Sequence, residues 1–374
     1  MNKKIYFENL DGLRFLCFLS VFFYHSFYTQ FAYIEKDAVY QFIKHGIFGN
    51  GNLGVNFFFV LSGFLITTLL IEEKKLNGNI KIPFFWLRRI LRIWPLFYAA
   101  VFIGFVIFPF LKRLTGQVPN ETAHLVYYLT FTNNFDMIKN GLPDASILGV
   151  LWSVAVEEQF YFVWPIILYV FPINKLWIPF SVILISSLIF RALNHNYAML
   201  ENHTLSCIGD MVIGATGAWL IEISPRFKLT IQKLSKTKIL LVYLVFAVIY
   251  FFRQQLLLAN YGTMIFERLF IAIVIVTIIM EQTYASNSFF KMSSFKRMSK
   301  LGTITYGLYC LHFLGILIAI NITKKLSINN KLWEVMIVDT SIALVTAIII
   351  SAISYKFYEA PFLKLKNKFA FITK

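Results

Sequence analysis

An all-α fold, a polytopic transmembrane helical bundle of about ten spans with no soluble domain, is what the sequence predicts. Three observations predict it. Hydrophobic residues make up 58% of the chain, against roughly 45–50% in an ordinary soluble domain, and mean hydropathy is +0.67. Apolar runs of about 20 residues, the length that crosses the hydrocarbon core, recur from one end of the chain to the other. Lys and Arg collect in the short segments between those runs.

The runs place spans at 10–31, 52–71, 90–111, 149–171, 176–193, 204–222, 238–252, 264–281, 302–320 and 335–358. The first, preceded by "MNKK", imitates a signal peptide. It is too long, carries Asp11, Arg14 and His25, and has no small-residue cleavage site, so it is expected to stay as the first helix. The segment "NETAHLVYYLTFTNNF" (120–135) is too short and polar to span and reads as an interfacial or re-entrant piece. No internal repeat, low-complexity linker or second domain is visible, and the whole of 1–374 reads as one membrane domain.

Charge sets the orientation. With the N-terminus inside, cytoplasmic segments hold 21 of the 35 Lys and Arg, outer segments hold 9, and 5 lie within spans. That bias favours both termini in the cytoplasm and makes 112–148 the largest outer loop. The net charge of +16 would suggest nucleic acid in a soluble protein. Here it is a topology signal, and no nucleic-acid partner is expected. Cys17, Cys207 and Cys310 all fall in apolar runs, with no spacing that suggests a metal site or a disulfide framework.

Charges inside spans call for explanation, since one at the bilayer centre costs at least about 2.5–3.5 kcal/mol. Arg14 and His25 are eleven residues apart. That is three turns plus about 20°, so they share one helix face at a rise of about 16 Å. A snorkelling arginine and a satisfied helix-end histidine would explain either alone. A shared polar stripe suggests a lined cavity instead.

In "FFWLRRILRIWPLFY" (84–98), Arg88, Arg89 and Arg92 sit at three- and four-residue spacing, where like charges repel. Positive-inside anchoring accounts for Arg88 and Arg89 more easily than for the deeper Arg92. Converging guanidiniums at a cytoplasmic edge suit a phosphate-rich ligand. In "LGVLWSVAVEEQFYFVWPI" (148–166), Ser153, Glu157 and Tyr161 form a stripe at i, i+4 and i+8, with Glu158 offset by 100°. Two adjacent carboxylates in an apolar span imply a partner cation, a polar cavity or a protonated state. A structural ion pair is the competing account.

Weaker signals are Asn56, Ser62 and Gly63 in the second span, residue types that often serve helix packing, and Tyr306 and His312 in the ninth. Asp210, Arg191 and Arg268 are buried charges that could neutralise one another.

Taken together these pieces resemble the acyltransferase-3 family of integral membrane acyltransferases. The matching stretches are "LDGLRFLCFLSVFFYH", "GVNFFFVLSGFLI", "RRILRIWP", "LWSVAVEEQFYFVWP", "TYGLYCLHF" and "YEAPF", in the family's order from residue 9 to 362. The resemblance implies transfer of an acyl group, most often acetyl, from cytoplasmic acyl-CoA to a hydroxyl of an extracytoplasmic or lipid-linked glycan. It implies a multi-pass protein of the plasma (inner) membrane among lipids, with acyl-CoA as donor and no metal. Some members carry an appended extracytoplasmic esterase-like domain, which is not expected in this sequence.

The resemblance also carries residues over: His25 to the family's essential histidine, Arg14 to its paired arginine, Arg89 and Arg92 to its Arg-x-x-Arg motif, and Glu158 to its second glutamate. On this reading Arg88, Arg89 and Arg92, with Arg14, hold CoA phosphates. His25 takes the acceptor's proton, and Glu158 or Glu157 orients its ring. Direct transfer and an acyl-histidine both stay open. The rival class is a transporter or flippase for a lipid-linked glycan, which more often shows repeated halves with interrupted helices.

Sidedness is directly testable. A cysteine placed in the 112–148 loop should label with an impermeant thiol reagent on intact cells, and one in the 223–238 loop should not. The reverse pattern would overturn the orientation.

Overall fold

The computed structural model describes residues 3–4, 7–369 and 372–373. Residues 1–2, 5–6, 370–371 and 374 of the single expected domain lie outside the described residues. The architecture is all-α. Helix α1 is Glu8–His25. Among the described residues, nine further helices are long and apolar enough to cross a membrane: α2 Leu53–Asn77, α3 Ile82–Leu114, α4 Ser146–Val170, α5 Ile173–Leu193, α6 Tyr197–Ile223, α7 Lys236–Leu256, α8 Tyr261–Tyr284, α9 Thr305–Lys325 and α10 Glu334–Lys366. At 18 residues, with Glu8, Asp11 and Arg14 in its first half, α1 is the shortest of the ten. Each matches one expected span.

Local sequence sets the helix ends. The Ser235 hydroxyl caps α7 through Lys238 N, and the Asn260 side chain caps α8 through Thr263 N at 2.9 Å, as expected where orphan N–H groups begin a helix. After His25 the chain turns extended at Ser26 and takes φ 66° at Phe27, which ends α1. At the other end, Lys3 and Lys4 pair in parallel with Ile372 and Thr373, bringing the two chain ends together.

The bundle centres on α2 and α6. A Cβ at Gly63 would lie 1.9 Å from Met211 O, and one at Gly214 would lie 1.9 Å from Val60 O. Only hydrogen at both positions lets the two backbones approach this closely. Helices α1, α4 and α8 also pack against α2, and α1, α3, α4 and α9 frame with it the site described below.

The 112–148 segment forms two short helices, Leu125–Leu129 and Asn133–Asn140, neither long enough to span. It is tied into the bundle. Gln159 donates to Phe131 O at 2.8 Å, Asn134 donates to Asn202 O at 3.1 Å, and Lys112 meets Asp144 at 2.5 Å. Such internal hydrogen bonding is what irregular backbone needs near a bilayer.

Gly63→Leu or Gly214→Leu should lower the thermal midpoint in detergent, since overpacking alone costs about 1–3 kcal/mol and here the obstacle is backbone. An unchanged midpoint would mean that α2 and α6 do not meet this way.

Candidate functional site: a cationic cavity beside a histidine pair

A cavity of about 280 Å³ opens between α1, α2, α3, α4 and α9. Arg14, Arg88, Arg89, Arg92 and Lys366 line it, with Asp11 and Glu157 as the carboxylates. Helix periodicity puts the arginines there. Arg88 and Arg92 lie one turn apart on α3 with Arg89 beside them, and Arg14 enters from α1.

The arginines differ in what they already hold. Arg14 pairs with Asp11 one turn earlier on α1. Arg88 donates to Glu73 Oε2 and to Phe369 O, both at 2.9 Å. Arg89 lies over two rings, 5.6 Å from the centre of Phe85 and 5.8 Å from that of Tyr161, and its buried Nε has no hydrogen-bond partner. Arg92 makes no hydrogen bond or ion pair among the described residues. The guanidiniums of Arg89 and Arg92 thus face the same buried space as Glu157, and neither makes an ion pair among the described residues.

The opposite wall is the α4 stripe. Ser62 donates to Glu157 Oε1 at 2.7 Å, Tyr161 OH lies 3.1 Å from Glu157 Oε2, and Tyr161 donates to Ser62 at 3.0 Å, which closes a triangle. One turn outward, Ser153 Oγ meets Tyr309 OH at 2.7 Å. Ser62 therefore serves this polar wall, while its neighbour Gly63 serves packing.

The structure does not bring all the expected site residues together. Glu158 faces α3 instead of the cavity. Its Oε2 accepts from Trp94 Nε1 at 2.8 Å, and its Oε1 is buried without a partner. His25 is not in the cavity lining either. It sits behind the deep end, where its Nδ1 lies 3.0 Å from His312 Nε2 and the two rings stack at 5.1 Å and 19°.

The expectation that Glu158 or Glu157 orients His25 is therefore corrected. Both glutamates are held by Trp94, Ser62 and Tyr161, and the ring beside His25 belongs to α9. The reason is positional: α9 packs on α1, and its third turn carries an imidazole to the level of α1's last residue. A sequence signal existed, a second histidine in an apolar span three residues after a tyrosine. Nothing in the sequence said which of α4 and α9 lies against the end of α1.

A family model described as an acyltransferase domain matches residues 7–356. The chain belongs to this acyltransferase family. Among curated relatives, the peptidoglycan O-acetyltransferase OatA of Listeria monocytogenes is 27% identical over 384 residues, covering 97% of this chain and 56% of its own length. The putative peptidoglycan O-acetyltransferase YrhL of Bacillus subtilis is 27% identical, covering 95% of this chain and 55% of its own. A putative O-acetyltransferase of Staphylococcus aureus strain COL is 26% identical, covering 97% and 58%. The chain thus spans a little over half the length of these relatives. No solved structure matches it.

The pairing pattern predicts opposite stability effects within one arginine cluster on α3. Arg88→Met strands Glu73, which is 2% exposed, and should lower the thermal midpoint by an amount on the order of 3 kcal/mol. Arg92→Met removes a charge that no carboxylate pairs, and should leave the ligand-free midpoint unchanged or raise it. A larger loss from Arg92→Met than from Arg88→Met would overturn this division.

Proposed function

We propose that this chain is a membrane O-acyltransferase. On this reading it moves an acyl group, acetyl most simply, from cytoplasmic acyl-CoA to a hydroxyl of an extracytoplasmic or lipid-linked glycan. The observation that carries the reading is the buried cavity lined by Arg89 and Arg92, which make no ion pair among the described residues. Family membership and the O-acetyltransferase names of the relatives support it.

A CoA-type donor fits that cavity chemically. Its phosphates would meet Arg89 and Arg92, with Arg14 and Arg88 beside them; planar guanidiniums bind phosphate bidentately. The thioester arm would follow the wall formed by Ser62, Tyr161, Glu157 and Ser153 toward the deep end. His25 then takes the proton of the acceptor hydroxyl as its oxygen attacks the thioester carbonyl. When the tetrahedral intermediate collapses the C–S bond breaks, and the imidazolium returns the proton to the leaving thiolate. No net proton is released, so the ring cycles between two states with one partner on each side.

Purified protein with acetyl-CoA and a muropeptide or lipid-linked glycan should yield an acetyl ester that mass spectrometry detects on the acceptor. His25→Ala should cut that rate by about 10²–10⁴ and leave acetyl-CoA binding intact. Arg89→Ala/Arg92→Ala should weaken acetyl-CoA binding in a titration while the protein stays folded. Normal binding by the double variant would remove the arginines from the donor site, and full transfer by His25→Ala would remove the histidine from the chemistry.

A further inference from the structure

We propose that His312 is a positioning residue that fixes the tautomer of His25, leaving Nε2 of His25 as the bare nitrogen that receives the acceptor's proton. The proposal rests on the reading of His25 as the base.

The argument is a proton count along one hydrogen-bonded line. His312 Nδ1 lies 2.7 Å from the backbone carbonyl of Tyr309. A carbonyl oxygen only accepts, so this nitrogen carries a hydrogen. The ring is fully buried, and its neighbours are Phe18, Phe22, Phe313, Tyr309 and His25. No carboxylate makes an ion pair with it among the described residues. An imidazolium there would be an uncompensated buried charge. The ring is therefore neutral, its hydrogen is on Nδ1, and its Nε2 has only a lone pair.

That lone pair lies 3.0 Å from His25 Nδ1. Two lone pairs facing at that distance repel, so His25 Nδ1 carries the hydrogen and donates it. Neutral His25 then has its remaining lone pair on Nε2, the state a general base needs. Unconstrained neutral imidazole in water favours the opposite form, with hydrogen on Nε2. His312 thus does for His25 what an orienting carboxylate does for other catalytic histidines, and does it without a charge. In an apolar span this matters, because a neutral acceptor avoids the desolvation a carboxylate would carry.

Tyr309 links this line to the cavity. Its carbonyl anchors His312, and its hydroxyl meets Ser153 at the deep end. The ring that sets the tautomer is thereby fixed to the wall along which the donor arm would lie.

The test uses the full chain in lipid, with ¹⁵N-labelled histidine and solid-state NMR. The six histidines are resolved by comparison with His25→Asn and His312→Phe samples. His25 should show a protonated Nδ1 and a bare Nε2. In His312→Phe it should revert to the Nε2–H form, and kcat should fall about 10²-fold or more with KM for acetyl-CoA little changed. His312→Gln, which can accept from His25 through Oε1 and donate to Tyr309 O, should recover part of the rate and keep the native tautomer.

An Nε2–H form of His25 in the unmodified chain would overturn the proposal, as would a full transfer rate in His312→Phe. Should His312→Phe fail to fold, the native spectrum and His312→Gln still decide. The two readings fail separately. Full activity in His25→Ala sinks the base assignment while leaving the tautomer measurement as it stands.

Discussion

An unpaired guanidinium among apolar helices costs several kcal/mol even where it can reach toward an interface, and the bundle treats its arginines in two ways. On the α5–α8 side, charge is cancelled. Arg268 meets Asp210 at 2.8 Å, Arg191 meets Glu267 at 3.0 Å, and Arg253 meets Glu201 at 2.7 Å and Glu267 at 2.5 Å. Three cations and three carboxylates close into one neutral, buried network that ties these helices to α6. Around the cavity on the other side, cancellation stops halfway. Asp11 and Glu73 answer Arg14 and Arg88, while Arg89 and Arg92 make no ion pair among the described residues. The same cost that makes the first group structural is what the proposed donor phosphates would offset in the second.

Much of the site was legible because it follows helical periodicity. Ser153, Glu157 and Tyr161 were placed on one face by their spacing, and all three line the cavity. Arg14 and His25 were placed on one face of α1, and the structure adds that Arg14 reaches the cavity while His25 lies beyond its end. Pairing between helices was not legible. Arg88, Arg89 and Arg92 look alike in sequence, and only the position of Glu73 on α2 separates the first from the other two. Glu157 and Glu158 are neighbours in sequence, yet 100° of rotation sends one into the cavity and the other against Trp94 on α3. Of Arg191, Asp210 and Arg268, expected to neutralise one another, Arg268 pairs with Asp210 while Arg191 is answered by Glu267. Glu201, Arg253 and Glu267 complete the network through contacts between helices that periodicity along one helix does not reveal.

Helix α9 is where the two compartments meet. Its residues Tyr306, Tyr309 and His312 climb at three-residue steps. Tyr306 donates to Ile93 O on α3 at 2.9 Å, Tyr309 bonds Ser153 on α4, and His312 bonds His25 on α1. One helix face thus references the arginine-bearing helix, the glutamate-bearing helix and the histidine-bearing helix to each other. Tyr309 belongs to both sides, by side chain to the cavity and by carbonyl to the histidine pair.

This layout separates the arginine-lined cavity from His25. The cavity's deep end stops at Tyr309 and Ser153, and His25 lies on the far side, half-buried at the end of α1. An acyl thioester in open contact with a general base and water would be hydrolysed, because water competes with any acceptor hydroxyl for the same nitrogen. On the proposed reading, keeping the arginine-lined cavity and the imidazole apart would remove that competition until a donor arm and an acceptor were both present. Tyr309 OH and Ser153 Oγ meet each other at 2.7 Å and share the Val150 carbonyl, at 3.2 and 3.3 Å, so this wall is a small neutral cluster whose hydrogen bonds are each worth about 0.5–1.5 kcal/mol net. The His312–Tyr309 backbone contact on the same residue does not need to break when these do. On the proposed reading, His25 would keep its tautomer even if the neighbouring wall gave way to the donor arm.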